Sequence, residues 1–260
     1  MNETIQGHLY DFPRYYDLVF GSDWRAELDF LQVCFEKHAG RRVRTVFEPA
    51  CGTGRLMFRL AKAGYDVSGL DLNERAVDYC NKRLVRHGFR PTAFVANMSE
   101  FQLPRRVDAA FNMINSFRHL LDRESARAHL HCIADCLSPG GLYLLGLHLT
   151  PTTTDPIDEE SWSAQRGSLC VNSRLWSTAR DLEAREEHCR MTFDVYTPTR
   201  GFRIEDTVIF RTYTHRQLLD LVQKIEGLEM VATYDFAYDV ESPLKIDDST
   251  EDIVFVLRKK

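Results

Sequence analysis

The sequence has 260 residues, of which 44% are hydrophobic and 27% charged, and its formal net charge is −5 at pH 7. This length fits one large α/β domain or a domain with a sizeable insertion. The negative charge argues against a nucleic-acid partner, which would require clustered Lys and Arg. No apolar run approaches the roughly 20 residues that span a bilayer, so we expect no membrane association.

Residues 1–7 contain neither the basic nor the apolar part of a secretory signal. Seven cysteines without regular spacing fit reduced thiols. We therefore expect a cytoplasmic protein. His129, Cys132 and Cys136 share one face of a predicted helix, but no second ligand pair accompanies them, and we expect no metal site. The sequence does not indicate an oligomeric state.

The first 150 residues alternate between helical and strand patterns. A helical cover, 10–39, has Asp23 as a plausible N-cap. Predicted strands follow at 43–47, 66–70, 92–96, 107–114 and 142–147. Predicted helices lie between them at 56–63, from the N-cap Asn73 to Gly88, and at 122–137, with a turn at Pro139-Gly140-Gly141 before the last strand. The strands are nearly continuous apolar runs, which indicates a parallel sheet covered by helices on both faces.

The pattern changes after Leu149, where 150–156 reads as a linker. Apolar residues then alternate with polar ones in three runs, 169–175, 189–195 and 202–210. This periodicity predicts an antiparallel sheet with one buried face. A capping box at Thr214 starts a helix that Gly227 ends, and two strands, 228–236 and 253–257, close the chain around a polar, mobile segment, 239–251. We expect three parts: 1–150, an insertion at 151–213, and a return at 214–260.

A glycine turn after the first strand is the strongest functional signal. Gly52 and Gly54 allow a tight turn and a close approach of backbone N–H groups to a ligand. In a doubly wound sheet this crevice outside the strand ends is where ligands bind. Asp71 ends the second strand beside the turn, where its carboxylate can accept hydrogen bonds from both hydroxyls of a ribose. Leu72 and Met98 could sandwich an adenine, with Asn97 at its edge.

The third position of a dinucleotide fingerprint, Gly-x-Gly-x-x-Gly/Ala, is occupied here by Met57. We expect its side chain to be too large for the close helix–strand packing that glycine permits, which disfavours an NAD-dependent oxidoreductase. That oxidoreductase remains the first alternative. The second is a non-catalytic protein that binds the cofactor without an acceptor, because cofactor residues alone do not prove turnover.

With Glu48 three residues before Cys51, the turn and Asp71 resemble the class I S-adenosylmethionine-dependent methyltransferases. The resemblance covers roughly the first 150 residues and implies that family's Rossmann-like, mostly parallel seven-stranded sheet with an antiparallel last strand, here 253–257. More narrowly, 15–20 and 113–120 are similar to a small-molecule branch that includes amino-sugar N-methyltransferases. That branch also carries an antiparallel insertion before the last helix.

The resemblance implies S-adenosylmethionine as the cofactor and assigns most of its contacts. Two departures from the family pattern are mild: Ala50 replaces a glycine, and Asn97 replaces an aspartate but can still accept a hydrogen bond. Met113 would offer its backbone carbonyl to the cofactor's amino group. The candidate cofactor-binding residues are Tyr16, Trp24, Glu48, Ala50, Cys51, Gly52, Gly54, Asp71, Leu72, Asn97, Met98, Met113 and Asn115.

The acceptor is expected to be a small molecule, with an amine slightly preferred over a hydroxyl. The lack of an Asn/Asp-Pro-Pro-Tyr segment counts against methylation of adenine or a glutamine amide. His119, after the fourth strand, is the best candidate for a general base, although it could merely cap or pack. Tyr16 is the second catalytic candidate, closing the front helix over the cofactor. His148 could line the acceptor pocket, although a solvated loop position is the favoured interpretation. The aromatic residues of the insertion could roof that pocket, although the pattern favours a small core of the insertion itself.

Overall fold

The computed structural model describes residues 3–21 and 24–260, so the predicted N-cap Asp23 lies outside the described residues. The helices are α1 (Pro13–Phe20), α2 (Arg25–His38), α3 (Arg55–Lys62), α4 (Glu74–Arg86), α5 (Arg123–Cys136) and α6 (His215–Gln223), with short 3-10 helices at Leu9–Asp11 and Ser116–His119. The strands are β1 (Thr4–Gln6), β2 (Thr45–Pro49), β3 (Asp66–Asp71), β4 (Ala93–Val95), β5 (Val107–Asn112), β6 (Leu137–His148), β7 (Glu159–Arg166), β8 (Leu169–Asp181), β9 (Glu186–Tyr196), β10 (Gly201–Arg211), β11 (Leu228–Tyr234) and β12 (Asp252–Lys259).

Seven strands form the larger sheet in the order β11-β12-β6-β5-β2-β3-β4. β12 lies antiparallel between β6 and β11, and the remaining pairs are parallel. Neighbouring residues of β2 point to opposite faces, so Val46 enters the core under α2–α4 and Phe47 enters the core under α5 and α6. The predicted mostly parallel seven-stranded sheet with an antiparallel last strand is confirmed.

The insertion forms a second sheet in the order β1-β10-β9-β8-β7. One face is apolar, as predicted, and it buries Val171, Phe193 and Ile204 against Leu18 and Val19 of α1. α1 also contacts α4, so it connects the insertion sheet with the larger sheet's helices. Two strands were not predicted. β7 has few apolar residues, and β1 has only three residues and pairs parallel with β10.

The predicted helix caps at Asn73 and Thr214 are confirmed, but one predicted turn is not. Asn73 caps α4, accepting from Ala76 N–H at 3.0 Å, and the Thr214 capping box is present, as predicted. The predicted turn at Pro139–Gly141 is wrong, because β6 runs through it; Gly140 has a φ of 77°, and its carbonyl accepts from Gly40 N–H. None of the helices formed by residues 3–21 and 24–260 is long and apolar enough to cross a bilayer.

Candidate active site

The turn after β2 uses left-handed backbone at three alternate positions. The φ angles are 55° at Ala50, 52° at Gly52 and 67° at Gly54. A side chain at Gly54 would collide with the Cys80 thiol, whereas one at Gly52 would point into open space. The bare backbone of Gly52 therefore faces a crevice. The replacement of the family's glycine by Ala50 is therefore less mild than the sequence indicated, because an L-residue in this conformation carries a backbone cost of about 1–2 kcal/mol.

Asp71, at the end of β3, is tied to this turn. One carboxylate oxygen accepts from Gly52 N–H and the other from Asn73 N–H, both at 2.8 Å. Burial raises the pKa of Asp71, and the backbone donors oppose that rise. Each carboxylate oxygen still has capacity for another donor, so the group can accept from two neighbouring hydroxyls while holding the turn in place.

Leu72 and Met98, the two residues expected to sandwich an adenine, differ in their exposure. The Leu72 side chain is 69% exposed beside Asp71, and Met98 is buried. The Asn97 side-chain oxygen accepts from both the N–H and the hydroxyl of Ser99 at 2.9 Å. Its predicted acceptor atom is therefore already used in a local turn.

Glu48 serves the start of α3. Its side-chain oxygen accepts from Met57 N–H at 3.2 Å, one of the N–H groups that a helix leaves without an internal partner. Burial raises the pKa of Glu48 well above its ordinary value. The glutamate therefore stabilises the start of α3, which follows the glycine turn.

Met57 packs closely against the sheet, contrary to the size argument made from the sequence. A side chain at Gly69 in β3 would lie 2.8 Å from the Met57 sulfur. The small residue that permits close helix–strand packing is thus on the strand instead of the helix. Met57 therefore gives no argument against a dinucleotide.

Asp17, missed by the sequence analysis, fixes α1 over the turn. Its buried carboxylate accepts from the hydroxyls of Thr53 at 3.0 Å and Tyr79 at 3.2 Å, and it pairs with Arg83. Thr53 lies within the glycine turn. The signal was an acidic residue within the otherwise apolar run 15–20.

Tyr16 and Trp24 occupy different surroundings. Burial raises the pKa of Tyr16 to about 12; the nearby Arg55 charge lowers this pKa, and the Asp71 charge raises it. Trp24 lies under the Arg59 guanidinium, 3.9 Å from the ring centroid. The structure brings Tyr16 close to Asp71, while the Trp24 ring contacts Arg59 of α3 and Arg25 of α2.

His119 pairs with a tyrosine that the sequence analysis missed. The Tyr10 hydroxyl lies 3.0 Å from His119 Nε2, and the Tyr10 ring contacts Tyr16 at 5.4 Å between centroids. On its other side His119 contacts Phe210 at 4.9 Å. Burial, with the nearby Arg118 charge, lowers the pKa of His119 to about 4. Tyr10 precedes the predicted motifs, and no spacing pointed to it.

The segment after β5 is strained. Ile114 and Asn115 have φ angles of 54° and 67°, uncommon for residues other than glycine. The Asn115 side-chain oxygen accepts from His148 N–H at 2.8 Å and connects this segment to the end of β6. Met113 is buried beside it. Strained backbone of this kind clusters at functional sites.

A cavity open to solvent separates the insertion sheet from the ends of β5 and β6. Phe210 and His148 both line it. Five carboxylates also line it: Asp158, Glu159, Glu160, Glu187 and Glu251. Arg118 and Arg180 lie there too, but both bind Glu187. Among the described residues, Glu160 alone of the five carboxylates has no hydrogen bond or ion pair, and burial raises its pKa.

His129 is a structural residue. Its Nδ1 lies 2.8 Å from the Met98 carbonyl oxygen and its Nε2 2.7 Å from the Tyr143 hydroxyl, so both ring nitrogens are occupied. Within residues 3–21 and 24–260, no group of three His, Cys, Asp or Glu side chains could hold a metal ion.

The chain is similar in sequence to known methyltransferases. Residues 46–141 match the family model described as a methyltransferase domain. A Geobacillus sp. (strain WCH70) protein described as a methyltransferase is 27% identical over 54% of this chain, which spans 57% of that relative's length. The dTDP-3-amino-3,4,6-trideoxy-alpha-D-glucopyranose N,N-dimethyltransferase of Streptomyces venezuelae is 28% identical. The alignment covers 85% of this chain and 91% of that enzyme's length.

The fold agrees with these matches. An S-adenosylmethionine-dependent methyltransferase from Clostridium acetobutylicum ATCC 824 superposes with a TM-score of 0.76 at 16% identity, covering 95% of this chain and 97% of that one. The family match falls on the segment that forms the glycine turn and ends β3 with Asp71. This chain belongs to the class I S-adenosylmethionine-dependent methyltransferase family.

Proposed function

We propose that this chain transfers the methyl group of S-adenosylmethionine to an amine of a small molecule in the cavity under the insertion sheet. The observation that carries the proposal is the position of the Tyr10–His119 pair. Tyr10 contacts Tyr16 on the side of Asp71, and His119 contacts Phe210, which lines the cavity. The pair therefore connects the cofactor crevice with the acceptor cavity.

The residues of the crevice fit the cofactor. Gly52 faces open space, Asp71 can accept from a ribose diol, and Leu72 presents an exposed apolar surface. When bound, S-adenosylmethionine supplies an electrophilic methyl group on a sulfonium. The chain's task is then to align the acceptor, exclude water and remove a proton.

His119 is suited to remove that proton. Methylation of a neutral amine would leave an extra proton on its nitrogen, and the His119 imidazole would take up that proton. A pKa of about 4 keeps the unprotonated imidazole available at pH 7. The Tyr10 hydroxyl fixes the orientation of the ring.

The charge of the cavity favours an amine. Five carboxylates line the cavity together with Arg118, Arg180 and His148, and both arginines are already paired with Glu187. Glu160 can accept a hydrogen bond from the neutral amine and balance the positive charge that develops on its nitrogen during methyl transfer. The Streptomyces venezuelae relative is named as an N,N-dimethyltransferase of an amino sugar, which supports nitrogen as the methylated atom.

A comparison of matched acceptors tests this function. The protein is incubated with S-adenosylmethionine and with pairs of small molecules that differ only in carrying an amino or a hydroxyl group. We expect release of S-adenosylhomocysteine and a methylated product with amines. Turnover of the hydroxyl partners alone would contradict the amine assignment. Binding of S-adenosylmethionine without turnover of any cellular metabolite would favour a non-catalytic binding protein.

A further inference from the structure

A second cavity, also open to solvent, lies between the start of α5, α6 and the turn joining β8 to β9. Its lining includes Arg123, Arg185, Arg211, Tyr213, Gln217 and Asp220. None of these residues lines the acceptor cavity. Arg211 directly follows Phe210 in the chain, so the two cavities lie beside consecutive residues.

Two polar groups in this cavity lack partners. Arg211 is 9% exposed and Tyr213 is 1% exposed. The Arg211 Nε and the Tyr213 hydroxyl are both buried without a hydrogen-bond partner among the described residues. A buried donor left unpaired costs free energy. Both groups can donate to the same ligand.

The positive charges exceed the negative ones. Arg211 and Arg123 both lower the pKa of Arg185, whose largest perturbation is burial. Asp220, the one carboxylate in the lining, is already bound by Arg123 at 2.8 Å and by Lys224 at 2.6 Å. Asp122 lies near Tyr213 and Arg211, but its side chain caps α5 through Ser125 N–H at 2.7 Å.

We propose that this cavity binds a small oxyanion, a phosphate or a carboxylate. The planar guanidinium of Arg211 and the Tyr213 hydroxyl would donate to its oxygens, and Arg185 and Arg123 would supply neutralising charge. The site is separate from the cofactor crevice. An anion there would contact Arg211, which follows Phe210 in the chain. The Arg211 carbonyl oxygen accepts from Arg118 Nε at 3.0 Å.

Calorimetric titration with inorganic phosphate and with acetate, at ionic strength held constant with NaCl, tests this site without cofactor or acceptor. We expect saturable binding of at least one of the two anions and a rise in melting temperature with its concentration. Heats and melting temperatures that do not differ from those in NaCl alone would overturn the proposal.

Three variants locate the binding. Tyr213→Phe removes only a hydroxyl and should leave the fold intact. Arg185→Gln alters a half-buried side chain at a turn, where it donates to the Thr212 carbonyl oxygen. Each should weaken anion binding by about fivefold to tenfold or more. Arg166→Gln, at the exposed end of β7, should bind as the wild type does. Equal affinities in all three variants would contradict this placement, even if methyl transfer is confirmed.

Discussion

The Tyr10 hydroxyl and His119 Nε2 lie 3.0 Å apart although 109 residues separate them in the chain. Tyr10 belongs to the first 3-10 helix and His119 ends the second, so the contact forms only when the N-terminal segment folds over the larger sheet. The geometry of this pair therefore depends on the same N-terminal segment in which Asp17 binds Thr53 of the glycine turn.

Replacing His119 should lower turnover with little effect on cofactor affinity. We expect His119→Ala to reduce kcat by about 10²-fold to 10⁴-fold, the usual contribution of a general base. Tyr10→Phe should cause a smaller loss, because it removes the hydrogen bond that orients the ring. Steady-state kinetics at pH 7, with S-adenosylmethionine affinity measured separately, checks both. A His119→Ala variant with the kcat of the wild type would remove His119 as the base.

Glu160 should act in acceptor binding. Glu160→Gln keeps the shape but removes the charge, so the KM for an amine acceptor should rise by about tenfold while kcat changes little. Glu183→Gln, exposed in the β8–β9 turn, is the matched control. A kcat that falls as much as kcat/KM would instead place Glu160 in the chemical step.

The buried Asp17–Arg83 pair should hold the cover in place. Asp17→Ala leaves Arg83 without its main partner and should lower the free energy of unfolding by about 3–5 kcal/mol. Urea denaturation measures this, with Asp29→Ala on the exposed face of α2 as the control. Because the two groups interact directly, the effects of Asp17→Ala and Arg83→Ala should be less than additive. Strict additivity would show that the pair is not coupled.

Stability should decrease as the pH falls from 6.5 towards 4. Burial lowers the pKa of His129 to about 4, whereas the unfolded chain has a value near 6.5. In that window the unfolded state binds more protons than the folded state, so the free energy of unfolding decreases as the pH is lowered. His129 accounts for a decrease of about 2 kcal/mol from pH 7 to pH 5. His119 acts in the same direction. His129→Gln should flatten this dependence in urea denaturation at the two pH values; an unchanged slope would contradict the assignment.

Local chain patterns predicted the larger sheet and the glycine turn well. Apolar runs and glycines determine those features within a few residues, as the Gly52–Asp71 hydrogen bond illustrates. The contacts of Tyr10, Asp17 and Glu160 depend on packing between distant segments. Met57 shows the same limit, because its fit depends on Gly69 in another strand and not on its own size.

The central claim is that Asp71 and the bare backbone at Gly52 hold S-adenosylmethionine. Asp71→Ala removes charge-assisted hydrogen bonds worth roughly 1.5–3 kcal/mol each and should weaken cofactor binding by at least about tenfold. Asp66→Ala, at the exposed opposite end of β3, is the matched control. The most direct measurement is calorimetric titration of both variants and the wild type with S-adenosylmethionine. The account predicts tight binding by the wild type and Asp66→Ala and weakened binding by Asp71→Ala; equal affinity in all three, or no binding by the wild type, would contradict it.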